Sequence, residues 1–542
     1  MKWSIIIVFV LFSHTLLNAQ LLKGGKPNRA DILMGALRPQ RTCYDVKSYH
    51  LDVRFDIINH RIVGTNTMKF VVVENTKEIQ VDLYENMQMD AVFFHNKQLP
   101  FRREYNAVFI DFPTELAKSK DTLALRMKFS GEPHVATNPP WQGGFVYSMD
   151  NNGIDWVAVA VQGDGASLWF PCKDHPADEV ENVYFRMQIP DNLIGVSNGK
   201  LIQEEPLENG YKAYTWQVTY PINSYNITFY IGNYVHFKEP NNAYSIDYYV
   251  LEDHLEAAKE QFQQVKPMLQ CFEEKFGPYP FARDGYKLVE APYLGMEHQS
   301  AVAYGNYYAN GYLGADLSNT GIGLKWDFII IHESGHEWFG NSISAADIAD
   351  MWIHESFTSY SEAVFVECQY GKEEALDYIV GIRAKIENDA PIQGVYGTNR
   401  EGSGDMYYKG SNMWNTIRFI VNDDELWWEA IRSFVKQFSY QTINKEQVIN
   451  FFNTFLKRDL TSVFNQYITR IDVPVLKYKV KKHNLYLKWD KVVKGFEMPV
   501  IFKVNNREFR IESITRRWKY TKVEVTDMMK VIFNQKYFYY NL

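Results

Sequence analysis

Alternation of apolar and polar residues dominates the chain between about residues 44 and 236. Runs such as 49–55 (YHLDVRF) and 67–73 (TMKFVVV) are rich in β-branched and aromatic residues. Turn-forming triplets, for example Asn151-Asn152-Gly153, separate the runs. A period of two places successive side chains on opposite faces of a strand, so this part is predicted to be a β domain.

The pattern becomes helical after Leu251. Residues 252–276 predict a helix that ends at the Gly-Pro-Tyr-Pro sequence 277–280, and helical stretches dominate from about residue 325 to 467. Alternation returns near the end, as in 475–480 (VLKYKV). The predicted order is therefore β, then mostly α, then β.

This order predicts a multidomain α+β protein, because 542 residues are too many for one ordinary core. We assign residues 1–19 to a signal peptide and 20–238 to an N-terminal β domain. Residues 239–471 are assigned to a mostly helical domain and 472–542 to a C-terminal β domain.

The first residues have the pattern of a secretory signal. Lys2 precedes an apolar run at 5–12, and Ala19 is a small residue at a suitable cleavage point. The apolar run is short compared with the roughly 20 residues of a membrane span, although an uncleaved anchor is the alternative. We therefore expect export to the periplasm or the extracellular space, without a transmembrane span in the mature protein.

Composition narrows the class of protein. With 46% hydrophobic and 23% charged residues, the chain is predicted to be globular, and its net charge of −8 argues against nucleic-acid binding. The four cysteines, at positions 43, 172, 271 and 368, are too few and too widely spaced for a disulfide framework or a cysteine-based zinc site. Buried thiols with at most one bridge are expected.

The strongest chemical signal is HESGH at 332–336, in a helix predicted from about residue 325 to residue 340. Side chains four residues apart project from the same helical face, so His332 and His336 can bind one metal ion. Imidazole nitrogen suits zinc. Glu333 would lie beside the ion, where it can take a proton from an attacking water. Two surface histidines on an ordinary helix are the alternative.

A catalytic zinc site needs a third protein ligand. Eighteen residues after His336 comes Glu355, early in a second helix predicted over 351–370. Glu362 shares the helical face of Glu355 and could orient a ligand, or it could be a solvated surface charge; both remain open.

This spacing resembles the metal motif of peptidase family M1, the gluzincin aminopeptidases. The sequences WFGN at 338–341 and DMWIHE at 350–355 are also similar to that family. Glu337, His354 and Ser356 depart from its usual Gln, Asn and Gly, but none of them is a predicted ligand.

The resemblance implies a β-sheet saddle domain, a thermolysin-like catalytic domain that is mostly helical, and a small C-terminal β-sandwich domain. It also implies one Zn²⁺ per chain, bound by His332, His336 and Glu355. Many members have a large C-terminal helical domain, which we do not expect here.

The resemblance further implies groups that bind the free amine of a substrate. LGMEH at 294–298 partly matches the family motif Gly-x-Met-Glu-Asn, which makes Glu297 the amine anchor. QGDGA at 162–166 occupies the place of a second anchor and implies Gln162 and Asp164, where Glu is usual in place of Asp. A glycine-rich loop with incidental polar residues is the alternative.

Family members also have a tyrosine two residues before Lys-Gly that donates to the oxyanion. Here it corresponds to Tyr407, with Tyr408 as the alternative. The predicted function is a zinc metallo-aminopeptidase that hydrolyses the first bond of peptides with a free amino end. Glu333 would act as general base and Tyr407 as oxyanion donor. The alternatives are a zinc endopeptidase, an epoxide-opening hydrolase, and a catalytically altered member that only binds peptides.

Overall fold

The computed structural model describes residues 26–525 and 530–542. The predicted signal peptide, residues 1–19, lies outside the described residues. Two hydrophobic cores organise the chain, one built from residues between 43 and 303 and the other from residues between 244 and 540.

The N-terminal part is built from strands. They are β1 (Tyr44–Asp56), β2 (Arg61–Val72), β3 (Thr76–Asp82), β4 (Met87–Phe94), β5 (Lys97–Leu99), β6 (Phe101–Glu104), β7 (Ala107–Leu116), β8 (Leu123–Gly131), β9 (Gly144–Met149), β10 (Asp155–Ala160), β11 (Glu179–Val180), β12 (Asn182–Pro190), β13 (Ile194–Ser197), β14 (Lys200–Pro206), β15 (Tyr211–Val218), β16 (Ile222–Asn223), β17 (Phe229–Gly232) and β18 (Tyr234–Glu239).

An eight-stranded sheet in the order β14-β15-β12-β1-β2-β8-β4-β5 dominates this part, and a second sheet has the order β13-β17-β10-β9. The run 49–55 falls in β1, and all but the last residue of the run 67–73 falls in β2; the two strands pair antiparallel. Burial alternates along β1 as the period of two requires, except at Ser48 and Tyr49, which are both buried next to a shift in register. The predicted β domain is confirmed.

Helices dominate the middle of the chain, after two short ones near the start. They are α1 (Arg29–Gly35), α2 (Pro39–Thr42), α3 (Leu255–Gln261), α4 (Val265–Phe276), α5 (Phe328–Gly335), α6 (Trp352–Tyr370), α7 (Lys372–Gly381), α8 (Asp405–Val421), α9 (Asp424–Phe438), α10 (Lys445–Phe455) and α11 (Thr461–Thr469). Within the described residues, none of the helices has both the length and the apolar character needed to cross a membrane.

A five-stranded sheet joins the two cores. It has the order β18-β19-β20-β22-β21, with β19 (Ile246–Leu251), β20 (Tyr286–Glu290), β21 (Gly295–Met296) and β22 (Val302–Tyr304). In β20, Leu288 packs into one core and its neighbour Val289 into the other. Both faces of the sheet are therefore covered, which explains why β20 is buried along its whole length.

The last part of the chain forms two three-stranded sheets, β25-β26-β29 and β28-β27-β30. The remaining strands are β23 (Ile343–Ala345), β24 (Gln441–Ile443), β25 (Val475–Lys481), β26 (Asn484–Asp490), β27 (Met498–Val504), β28 (Arg507–Ile514), β29 (Lys519–Glu524) and β30 (Val531–Phe533). The predicted multidomain α+β fold, with β, helical and β parts in that order, is confirmed. The exact domain boundaries remain predictions.

The helix that carries HESGH is shorter than predicted. It begins at Phe328 because the carboxylate of Asp327 accepts the backbone N–H groups of Ile329 and Ile330 at 3.1 and 3.4 Å. It ends at Gly335. His336 follows with φ −62° and ψ −21°, which is still helical, so the two histidines keep the geometry of positions i and i+4.

One disulfide links the helices beside the metal motif. Cys271 of α4 bonds to Cys368 of α6, with a Cα–Cα distance of 6.1 Å and a sequence separation of 97 residues. Cys43 and Cys172 are buried thiols. This agrees with the expectation of at most one bridge, although the sequence did not predict which cysteines would pair.

We expect replacement of both Cys271 and Cys368 by Ser to lower the free energy of unfolding by about 2–4 kcal/mol, because the bridge closes a long loop in the unfolded chain. Urea denaturation followed by tryptophan fluorescence measures the change. Unmodified protein treated with a reductant should shift to the midpoint of the double variant. Equal stability of variant and oxidised parent would contradict the prediction.

Candidate metal centre and active site

Three buried side chains from α5, its C-cap and α6 converge on one point. Nε2 of His332 lies 3.6 Å from Oε2 of Glu355, and Nε2 of His336 lies 3.4 Å from the same oxygen. All three potential ligand atoms lie within 4.8 Å of one another. The structure thus brings together the three residues that the sequence predicted as metal ligands.

Hydrogen bonds on the outer side of each ring fix the direction of the histidines. Nδ1 of His332 donates to Oε1 of Glu362 at 2.7 Å, and Nδ1 of His336 donates to the carbonyl of Phe339 at 2.9 Å. The hydroxyl of Thr358 lies 3.1 Å from the same Nδ1. With Nδ1 carrying the proton in each ring, Nε2 presents its lone pair to the common point.

The residues fit zinc. Oε2 of Glu355 is buried and has no hydrogen-bond partner within the described part of the chain. A buried carboxylate oxygen without a donor is costly, whereas a bound cation would satisfy it. Two imidazole nitrogens and one carboxylate oxygen are the donor set of a catalytic zinc site, which leaves a fourth position for water or substrate.

Glu362 is therefore not a surface charge. It is 1% exposed, and its second oxygen accepts the hydroxyl of Tyr378 at 2.7 Å. The sequence left open whether Glu362 orients a metal ligand or is a solvated surface charge. Its burial and its bond to His332 favour the first alternative. This arrangement raises the basicity of His332 and holds its ring in place.

Glu333 is buried next to the three ligands. Burial raises the pKa of its carboxyl group to about 7, although the imidazoles of His332 and His336 act in the opposite direction. A carboxyl group with a pKa near the working pH can both accept and return a proton. Gly295 lies against it: a Cβ at Gly295 would be 2.9 Å from Oε1 of Glu333, so the chain at this position has no room for a side chain.

Glu297 follows β21 and is 1% exposed. Its Oε1 accepts Nε2 of Gln162 at 2.9 Å and the hydroxyl of Tyr225 at 3.2 Å. The same Nε2 of Gln162 donates to Oε1 of Glu355 at 3.1 Å. One amide group thus joins the predicted amine anchor to a predicted metal ligand, and burial raises the pKa of Glu297.

Asp164 has a different set of contacts. Its Oδ2 accepts the backbone N–H of Gly143 at 2.8 Å, and its carbonyl accepts the hydroxyl of Tyr84 at 3.0 Å. Among the described residues, no hydrogen bond joins Asp164 to Gln162 or Glu297. In this structure Asp164 stabilises the 162–165 loop, while Gln162 makes the contact with Glu297.

Tyr407 lies in the first turn of α8, beside the three predicted metal ligands His332, His336 and Glu355, which we call the metal group. Its ring is 5.9 Å from the ring of His332, measured between centroids. Helix α8 approaches α6 closely at Gly410, where a Cβ would be 1.9 Å from the hydroxyl of Ser356. Burial, with a contribution from the Glu355 carboxylate, raises the pKa of Tyr407 well above its ordinary value, so its hydroxyl stays protonated.

Several residues of this site had no signal in the sequence. Tyr225 comes from the β domain, 72 residues before the carboxylate that it contacts. Thr358 and Tyr378 lie on α6 and α7 at positions that no motif marks. The bond from His336 to the carbonyl of Phe339 depends on the turn after α5. The sequence did not indicate this turn, because the helix was predicted to continue to residue 340.

Two family models match the chain. Residues 260–467 match the peptidase family M1 domain, and residues 45–226 match the peptidase M1 N-terminal domain. Together they span more than half of the chain, while residues 26–44 precede both.

Curated aminopeptidases are among the relatives. The chain is 21% identical to the leucyl aminopeptidase of Saccharolobus solfataricus over 349 residues, which is 62% of this chain and 44% of that protein. It is 25% identical to aminopeptidase B of Rattus norvegicus over 396 residues, which is 67% of this chain and 54% of the relative. The chain thus covers only about half of the length of these relatives.

The fold is also similar to that of solved structures. A crystal structure of a mutant M1 zinc metallopeptidase from Deinococcus radiodurans, bound to a Tyr-Ser-Ala substrate, superposes with a TM-score of 0.64. The two chains are 18% identical, and the match covers 80% of this chain and 95% of the other. The family models and the His-His-Glu group together confirm the predicted zinc cofactor, and the chain belongs to peptidase family M1.

Proposed function

We propose that the protein is a zinc aminopeptidase that removes the first residue from peptides with a free amino end. The observation that carries this proposal is the partly buried contact of Gln162 with both Glu297 and Glu355. This contact holds the carboxylate of Glu297, which can bind an ammonium group, next to the metal ligand Glu355. Only the side chain of Gln162 separates the two carboxylates. An exopeptidase needs the amine-binding carboxylate at a short, fixed distance from the metal, because the first peptide bond must reach the metal while the amine is held.

Zinc, held by His332, His336 and Glu355, would polarise the scissile carbonyl and lower the pKa of a water molecule toward about 7. The carboxylate of Glu333 takes the proton of the attacking water and later delivers it to the leaving amine. Its burial beside the ligands and its raised pKa suit both transfers.

The hydroxyl of Tyr407 donates to the oxygen that becomes negative during attack. Its ring lies against that of His332, and burial together with the carboxylates of Glu355, Glu401 and Glu297 raises its pKa well above the ordinary value. Burial also raises the pKa of Tyr408, but the carboxylate that contributes is Glu362, on the outer side of His332. These neighbours favour Tyr407 over Tyr408 as the donor.

Glu297 binds the ammonium group of the substrate. Its carboxylate is almost fully buried, with Gln162 and Tyr225 both donating to Oε1. A substrate with further residues on the amino-terminal side of the scissile residue would have to pass the buried carboxylate of Glu297. The geometry therefore supports an aminopeptidase over an endopeptidase.

We also propose that the protein acts outside the cytoplasm. The predicted signal sequence at residues 1–19 supports export to the periplasm or the extracellular space. The disulfide between Cys271 and Cys368 agrees with this, because such bonds persist mainly in oxidising compartments.

The test of the function compares free-amino aminoacyl anilides with their N-acetylated forms, with and without a chelator. The enzyme should cleave only the free-amino set, and chelation should abolish cleavage. Glu297→Gln should reduce kcat/KM for the free-amino set by about 100-fold, because one charge-assisted contact with the ammonium is lost. Equal cleavage of capped substrates by the parent enzyme would exclude the aminopeptidase.

Glu333→Gln should keep the metal and lose about 10²–10⁴-fold in kcat, because the general base is removed while its volume is retained. Metal analysis and steady-state kinetics on the same preparation measure both effects. Glu337→Gln is the matched control: Glu337 is also buried on this segment, but its carboxylate bonds to Tyr279, Asn341 and the backbone of Ser300. Normal turnover in Glu333→Gln would overturn the mechanism.

Glu362→Gln should weaken zinc affinity about 10–100-fold, because the charged partner of His332 is lost. Titration with a competing chelator measures the affinity. Glu367→Gln, on the same helix but paired with Arg418, provides the control and should retain parental affinity. Unchanged affinity in Glu362→Gln would show that this carboxylate does not support the metal.

A further inference from the structure

The first described residues, 26–36, form an arm that precedes the regions shared with the family. Its helix α1 begins at a capping box, in which Asn28 and Asp31 exchange side-chain and backbone hydrogen bonds. The sequence did not predict this helix. The arm contacts both the β domain and a loop of the helical part.

On one side, the arm is attached to the β domain. The carbonyl of Leu33 accepts Nε2 of Gln80 at 2.9 Å, and the carbonyl of Gly35 lies 3.2 Å from Nε2 of His175. The side chain of Leu33 is buried with Phe109. These contacts give the arm a fixed position on the β domain.

On the other side, the arm holds the loop of residues 392–402. Asp31 and Arg400 form an ion pair at 2.7 Å in which both side chains are at most 10% exposed, and the carbonyl of Asp31 accepts the backbone N–H of Asn399 at 3.0 Å. Gly35 packs directly on this loop, since a Cβ there would lie 1.9 Å from the carbonyl carbon of Thr398. A close-packed, ion-paired contact of this kind fixes the loop.

The 392–402 loop in turn touches the 162–165 loop. Nδ2 of Asn399 donates to the carbonyl of Gly163 at 3.3 Å. Oε1 of Glu401 lies 3.8 Å from the Cβ position of the same glycine. Gly163 is the neighbour of Gln162, the residue that joins Glu297 to Glu355. A continuous chain of contacts therefore runs from the arm to the amine-binding group.

We infer that the arm is a positioning element for the substrate's amino end, in which Asp31 and Arg400 act through Asn399 and Gly163 on Gln162. This inference rests on the proposed aminopeptidase function. The free amine is bound productively only while Gln162 holds Glu297, so a displaced 392–402 loop weakens substrate binding.

The arm should act mainly on the anchor, although Glu401 of the same loop contributes, after burial and Glu355, to the raised pKa of Tyr407. The start of α8 is fixed independently, because Asp405 accepts the backbone N–H groups of Glu387 and Asn388 at 2.8 and 2.6 Å. Loss of the arm contact should thus raise KM and leave kcat nearly unchanged. If the arm only stabilised the fold, loss of its contact would lower the free energy of unfolding without raising KM at nearly constant kcat.

The test compares Asp31→Asn, Arg400→Gln and the double variant in the full-length enzyme. Each should raise KM for free-amino anilides about 10-fold, keep its zinc content, and leave kcat within about twofold. The double variant should raise KM by less than the product of the two single effects, because the two residues share one ion pair. Arg29→Gln, which breaks the exposed pair of the same helix with Glu104, is the control and should match the parent.

Hydrogen exchange gives a second readout that does not depend on turnover. In Asp31→Asn, backbone amides of 160–168 and 392–402 should exchange faster than in the parent and in Arg29→Gln. Parental KM in an active Asp31→Asn enzyme, a fall in kcat alone, or unchanged exchange in both loops would overturn the inference. A parent enzyme that cleaves no free-amino substrate would instead refute the proposed function, while the exchange result would still test the contact.

Discussion

The active site depends on three buried acceptor atoms that face one another. Nε2 of His332 and Nε2 of His336 converge on Oε2 of Glu355, which has no hydrogen-bond partner among the described residues, and such a buried carboxylate oxygen is unfavourable without a cation. The arrangement persists because the outer nitrogen of each ring is held by a carboxylate or a carbonyl. Folding therefore builds a place for the metal, and the free energy of metal binding stabilises this part of the fold.

Hydrogen bonds connect the metal ligands to Glu297, the carboxylate proposed to bind the substrate's amine. The acidic residues Glu297, Glu333 and Glu355 surround the two imidazoles, and Gln162 links two of these carboxylates from the opposite domain. This concentration of buried negative charge suits a divalent ion and an ammonium group together. The five-stranded sheet that belongs to both hydrophobic cores keeps the two domains in the required relation.

The sequence predicted the parts of the site that depend on local geometry. His332 and His336 are four residues apart in nearly helical backbone, and β1 and β2 follow their alternating patterns, so short-range rules were sufficient. The partners of these residues depend on tertiary packing instead: Tyr225 reaches Glu297 from the β domain, and Asp164 accepts the N–H of Gly143, a contact that its motif did not indicate. The length of α5 was overestimated because the capping by Asp327 and the turn after Gly335 interrupt an otherwise helical pattern.

The arm also determines how the protein can be handled in the laboratory. The carbonyl of Lys26 accepts Nη2 of Arg400 at 3.1 Å, so the described chain starts beside the loop that borders the catalytic site. An affinity tag or a fusion partner joined directly before this residue would adjoin Arg400 and disturb the contact by which the arm holds the 392–402 loop. The carboxyl end belongs to the C-terminal sheets instead, where Asn541 pairs with the start of β25, and it offers the better attachment point.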